Sequence, residues 1–340
     1  MNQMKAKIPL LSLFVVVILL ALLISACEGS QPAFAAEEEP AGPTLATAKA
    51  SAKLSNQPGR AIVSARGNHF VVDSVPPIEG PNEEVNPLDM LLGSLATCGM
   101  FIAERVAQEE SFTLEDIQVA VEGDFNASGV AGSGADPRLQ AMRVHLDLPG
   151  ANEDQLESII NNFMARCPIY TTLSRATEIE ITTNDETPSP PTEGLNTAKL
   201  TAQLSNQPGR AIVSARGNHF VIDSVPPLEG PNEERNPLDL LLGSLATCGT
   251  FIFERSGQEM GRPLTAITTA VEGDFDPRGV ASMDEDINPR IQAFRVNIEV
   301  EGTNQGQSKK MVEQFEQRCP IYTTLVRSAP IDITVNAAMK

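Results

Sequence analysis

Most of this chain is written twice, and that limits it to folds in which one unit is used two times. The stretch 86–105 reads Asn-Pro-Leu-Asp-Met-Leu-Leu-Gly-Ser-Leu-Ala-Thr-Cys-Gly-Met-Phe-Ile-Ala-Glu-Arg. It returns at 236–255, with Gly-Ser-Leu-Ala-Thr-Cys-Gly unchanged. Residues 55–74 match 205–224 except for Val72 against Ile222, and 166–173, Arg-Cys-Pro-Ile-Tyr-Thr-Thr-Leu, return at 318–325. The offset is 150 residues up to Phe125 and 152 after it, so a two-residue change falls in the glycine-rich loop around 131–135. A period of this size marks a duplicated domain and not a solenoid. The expected domains are 46–184 and 196–340, joined by an acidic, proline-containing linker at 185–195.

Within one unit the order reads β-β-β-α-β-β-α-β. Residues 48–54 alternate, and 61–65 and 69–73 are short strands around the turn Arg66-Gly67-Asn68. Asn86 followed by Pro87 starts a helix over 87–108, with Asn as the cap and Pro at the first position. Leu91, Leu95, Cys98 and Ile102 step by four, three and four along one face. Cys98, with Cys248 as its counterpart, is therefore expected on the inward face of a buried helix. Residues 117–125 and 139–148 read as a hairpin, 152–165 as an amphipathic helix, and 178–182 as a closing strand. The fold class is α+β, with antiparallel sheets on long central helices.

The first residues read as targeting signal. Lys5 and Lys7 precede an apolar run over 8–24, and Ile24-Ser25-Ala26-Cys27 resembles a bacterial lipobox. The expectation is a signal peptide at 1–26, lipidation of Cys27, a tether at 27–45, and a protein held outside the cytoplasm on a lipid anchor; the other reading is a plain anchor helix with an incidental cysteine. The net charge of −19 becomes −21 when Lys5 and Lys7 leave with that leader. With no Lys/Arg cluster to offset it, such a balance argues against nucleic-acid partners.

Four cysteines remain: Cys98, Cys167, Cys248 and Cys319. In an exported protein they could form two structural disulfides. As isolated residues they read equally as packing thiols. Their surroundings are the same in both copies, whereas 106–110 and 256–260 differ freely, and that favours a redox pair in each unit. Pro168 would open a short helix over 168–174 and put Cys167 at its N-cap, where the helix dipole favours thiolate. Arg166 and Arg175 lie nearby, and Tyr170 and Tyr322, the only tyrosines, follow the second cysteine of each unit by three. An arginine beside a reactive thiolate holds it ionised. Arg66 and Arg216 are the first candidates, Arg60 and Arg210 the reserve, while Arg105 is expected to pair with an acid. His69 and His219 recur without CxxC or HxxH spacing, so no metal and no cofactor are expected.

Asn-Pro-Leu-Asp opening a Leu-rich helix that ends in Leu-Ala-Thr-Cys, then a second helix ending in Arg-Cys-Pro-Ile-Tyr, resembles the OsmC/Ohr family over 46–184 and 196–336. The resemblance implies an intertwined α+β dimer with sites at its interface, here replaced by a pseudo-dimer of the two units. It implies reduction of small organic hydroperoxides, with Cys98 or Cys248 peroxidatic, Cys167 or Cys319 resolving, and an external dithiol as reductant. It also implies a carboxylate after the helix-start proline, paired with the catalytic arginine. Leu88 and Leu238 stand at that place, with Asp89 and Asp239 one step on. The alternative function is a non-catalytic protein holding an apolar ligand between the units.

Overall fold

The computed structural model describes residues 45–339, apart from 79, 115, 226–229, 282, 283 and 285. The expected signal peptide and most of the tether, Cys27 included, lie outside the described residues.

The first unit runs β1 (Ala46–Leu54), β2 (Arg60–Ala65), β3 (Asn68–Asp73), α1 (Pro87–Glu109), β4 (Gln118–Phe125), α2 (Ala127–Val130), β5 (Leu139–Asp147), α3 (Glu153–Arg166), α4 (Pro168–Leu173) and β6 (Glu178–Thr183). The second runs β7 (Asn196–Leu204), β8 (Arg210–Ala215), β9 (Asn218–Asp223), α5 (Pro237–Glu259), β10 (Ala266–Phe275), α6 (Arg278–Ala281), β11 (Ala293–Glu301), α7 (Gln305–Arg318), α8 (Pro320–Leu325) and β12 (Ile331–Ala338). Among the described residues, only the one-turn helices α2 and α6, and a 3-10 turn at Pro76–Ile78, go beyond the order read from sequence.

The two units exchange strands. One six-stranded sheet runs β12-β11-β10-β1-β2-β3 and the other β6-β5-β4-β7-β8-β9. Each is half first unit and half second, joined by the antiparallel pairs β1–β10 (Ala50 opposite Val271) and β4–β7 (Val121 opposite Leu200). The sheets are not wholly antiparallel: β5–β6 and β11–β12 pair in parallel, because a helical crossover returns each last strand in the direction of its neighbour. Helix α1 lies on β4 and β7, α5 on β1 and β10, and the two helices pack on each other.

Local chemistry sets these helices. The Asn86 side chain accepts from the N–H groups of Leu88 and Asp89, and the Asp89 carboxylate accepts from the Asn86 N–H, a reciprocal capping box. Every residue from Leu88 to Ala103 is buried, so α1 is covered all round over this stretch, as a core helix must be. Small residues let the two helices approach. A Cβ on Gly243 would come within 2.6 Å of the Met90 Cε, and one on Gly93 within 3.4 Å of the Leu240 Cδ1. Carboxylates cross between the units as well. Glu254 on α5 accepts from the Gly59 N–H at 3.0 Å, and Glu104 on α1 from the Gly209 N–H at 2.9 Å.

An ion pair ties each strand exchange, buried on one sheet and part-exposed on the other. Arg143 grips Asp124 with both Nη atoms at 2.7 and 2.8 Å, and Asp124 also accepts from the Thr192 N–H of the linker and the Thr197 hydroxyl on β7. Burial raises the Asp124 pKa, but Arg143 and the threonine donors outweigh it and hold the group below the usual carboxylate range. On the other sheet the Arg295 guanidinium, with the Thr47 hydroxyl, pulls Asp274 from the ordinary 3.8 down to about 2, against an opposing push from burial. A depressed carboxylate adds stability that is fully present above its unfolded value and lost as pH falls through the folded one. The urea midpoint is therefore expected to hold from pH 7 to near 4 and to drop between about 4 and about 2. An unchanged midpoint at pH 3 would count against the role of these pairs.

Candidate active site

Two equivalent sites are built at the junction of the units. In the first, Cys98 sits halfway along α1, beside Phe101 and Ile102. Cys167 closes α3 and caps α4, its Sγ accepting from the Tyr170 N–H at 3.2 Å. The two are joined as a disulfide with their Cα atoms 6.1 Å apart, although 69 residues separate them in sequence. Cys248 and Cys319 are joined in the same way, with the same Cα spacing. Cys98 is 7% exposed and Cys248 5%, while Cys167 and Cys319 are wholly buried.

Cys98 borders a cavity of about 540 Å³, and Cys248 one of about 460 Å³. Neither second cysteine lines its cavity; the prolines that follow them, Pro168 and Pro320, do. A molecule entering the first cavity meets the Cys98 sulfur, with Cys167 behind it. The walls are mostly apolar and come from both units: Phe101 and Ile102 from the first, Leu238, Phe275 and Val280 from the second. Leu88, Phe125 and Val130 of the first unit face Cys248 in the same manner.

Arg66 lines the Cys98 cavity and Arg216 the Cys248 cavity. Arg66 and Gly67 form the two-residue turn between β2 and β3, both at positive φ (48° and 86°), as a tight hairpin of this twist requires. A side chain other than glycine there is costly, and such strain gathers at functional sites. The turn sends the guanidinium into the other unit. Its Nε donates to the Asp239 Oδ2 at 2.8 Å, its Nη1 to the Asn232 Oδ1, and its Nη2 to the Glu234 carbonyl at 2.8 Å. Its Nη2 also stands 2.8 Å from Asp239. Four contacts against five N–H donors leave at least one N–H for another group. Arg216 repeats the arrangement with Asp89, Asn82 and the Glu84 carbonyl. The aspartate one step after the expected place thus supplies the arginine's carboxylate, and does so from the opposite unit.

The other recurring polar residues lie elsewhere. Arg60 and Arg210 are held by Asp73 and Asp223 and line neither cavity. Arg105 pairs with Glu109 one turn on, and His69 and His219 share hydrogen bonds with Ser64 and Ser214. Arg175 is exposed, whereas Arg166 is 2% exposed. Arg166 binds Glu109 through Nη1 and Nη2 at 2.8 and 3.2 Å, and donates from Nε to the carbonyl of Val280, a wall residue of the Cys98 cavity. This arginine ties the buried cysteine's helix to the cavity wall of the other unit. Its only sequence signal was its place beside Cys167 in both copies.

Exchanged strands, a disulfide in each unit and two apolar cavities at the seam define a duplicated α+β fold with two equivalent sites. The chain belongs to the family of OsmC-like proteins, whose model matches residues 80–182 and 230–335. No curated protein matches it in sequence. Among solved structures it is similar to an OsmC-like protein from Mycoplasma pneumoniae (18% identity, 42% of this chain and 96% of that one, TM-score 0.35). It is also similar to an organic hydroperoxide resistance protein OsmC from Legionella pneumophila (16% identity, 39% and 94%, TM-score 0.33). A third is a putative osmotic stress induced and detoxification response protein from Psychrobacter arcticus (17% identity, 40% and 94%, TM-score 0.33).

Proposed function

We propose that the protein reduces organic hydroperoxides with a pair of cysteines at each site. One observation carries this reading: each cysteine that borders an apolar cavity has a second, buried cysteine within bonding reach behind it. In the reduced protein the Cys98 thiolate attacks the hydroperoxide oxygen. The O–O bond breaks, the alkoxide takes a proton and leaves as the alcohol, and Cys98 becomes a sulfenic acid. Cys167 then attacks that sulfur, water leaves, and the disulfide forms. An external dithiol, itself oxidised to a disulfide, restores both thiols. The remaining Arg66 donor would hold the peroxide oxygen, and its charge would favour the Cys98 thiolate, a reading supported by the place of Arg66 in the cavity wall. The N-cap hydrogen bond from Tyr170 favours the Cys167 thiolate for the second step. Apolar walls favour organic hydroperoxides over hydrogen peroxide.

The reduced protein is to be treated with one equivalent of cumene hydroperoxide per site and its peptides mapped without reductant. Rapid return of the Cys98–Cys167 and Cys248–Cys319 bonds is expected. Thiols that stay free under excess peroxide would overturn this reading and leave a protein that holds an apolar ligand at the seam.

A further inference from the structure

Where the two units meet, they differ at one position that matters. The matching segments 81–89 and 231–239 are the same except that Val85 of the first is Arg235 of the second. The Arg235 guanidinium carbon lies 4.5 Å from the centre of the Phe70 ring and 5.5 Å from that of Phe220. Those phenylalanines are the same residue of the two copies, so Arg235 stands close to the pseudo-twofold axis, and only one such arginine exists per chain.

The guanidinium lies over both rings at cation–π distance, an arrangement that suits this weakly hydrated cation. Its edge is only partly taken up. The buried Nε has no hydrogen-bond partner among the described residues, and the nearest ion-pair contact, to Glu234, is long at 3.9 Å. The side chain is 14% exposed, and burial lowers the pKa of the group by more than the charges of Glu234 and Asp239 raise it. A buried charge without a partner is costly, and a planar fork of N–H donors matches an oxyanion. Arg235 lines a cavity of about 130 Å³ that also takes in Asn218 and His219, two further polar side chains. Glu84, the one acid among the described lining residues, is exposed and weakens an anion's binding without excluding it.

We propose that this cavity is a binding site for one free oxyanion of phosphate size, held by the edge of Arg235. The site is single, lies outside both cysteine cavities and does not depend on peroxide chemistry. The purified full chain is to be titrated with sodium phosphate at ionic strength fixed with sodium chloride, followed by phosphorus NMR line broadening and by melting temperature. A saturable response in the millimolar range is expected, with a matching rise in melting temperature. Arg235→Val, which copies the residue at position 85, should abolish it. Arg235→Lys keeps a point charge without the fork and should weaken binding about tenfold. A response that never saturates, or one equal in wild type and both variants, overturns the site.

Discussion

Cys98→Ser is expected to silence one site and leave the other working. The hydroxyl that replaces the thiol cannot be oxidised by a peroxide, so the first site loses its acceptor. Peroxide consumption in the presence of an excess small dithiol should fall to the share of the second site. Adding Cys248→Ser should remove the rest, a loss of about three orders of magnitude or more. Cys167→Ser should behave differently: the sulfenic acid at Cys98 forms but finds no partner, and a sulfenic-acid trap labels it. The cavities support this order of events, since Cys98 and Cys248 border them and Cys167 and Cys319 do not. Full turnover in the double serine variant would dismiss the peroxidase reading.

The largest effect on stability is expected at Arg143. Asp124 is wholly buried and Arg143 is 4% exposed, so no solvent is at hand to compensate a lone carboxylate. Arg143→Met would strand that charge, and breaking such a buried pair costs about 3–5 kcal/mol. For a chain of this size that lowers the melting temperature by roughly 5–8 °C. The damage reaches beyond one strand pair, because the same carboxylate holds the linker at Thr192 and β7 at Thr197. A shift under 1 °C on a scanning calorimeter would show that Asp124 takes up a proton or finds another donor at no large cost.

Local structure was legible in the sequence because it is set by neighbours in sequence. Asn86 and Pro87 announced the central helix, the alternation at 48–54 the first strand, and Pro168 the capped cysteine. The sites were half legible. Cysteine pairing within a unit was read from surroundings that are identical in both copies and from resemblance, and Arg66 does share a cavity with Cys98. What could not be read was which unit each partner comes from. Arg66 has Asp89 in its own unit, yet bonds Asp239, because duplicated sequences give every contact two candidates with identical letters. The same ambiguity hid the pairing of β1 with β10, since β4 carries the same Val-Glu-Gly-Asp-Phe. The parallel return of β6 and β12 was missed because alternation marks a strand but not its direction.

The arginine between Phe70 and Phe220 has a consequence for ancestry. A unit that pairs with its own copy must be compatible with itself on the symmetry axis, and two guanidinium groups facing each other there would repel. Copies joined in one chain are free of that constraint, and one holds Arg235 where the other holds Val85. The halves are therefore not interchangeable. Separated and paired with its own copy, the second unit would set two guanidinium groups against each other while the first would not, so the fusion acts as a ratchet for the half that carries Arg235.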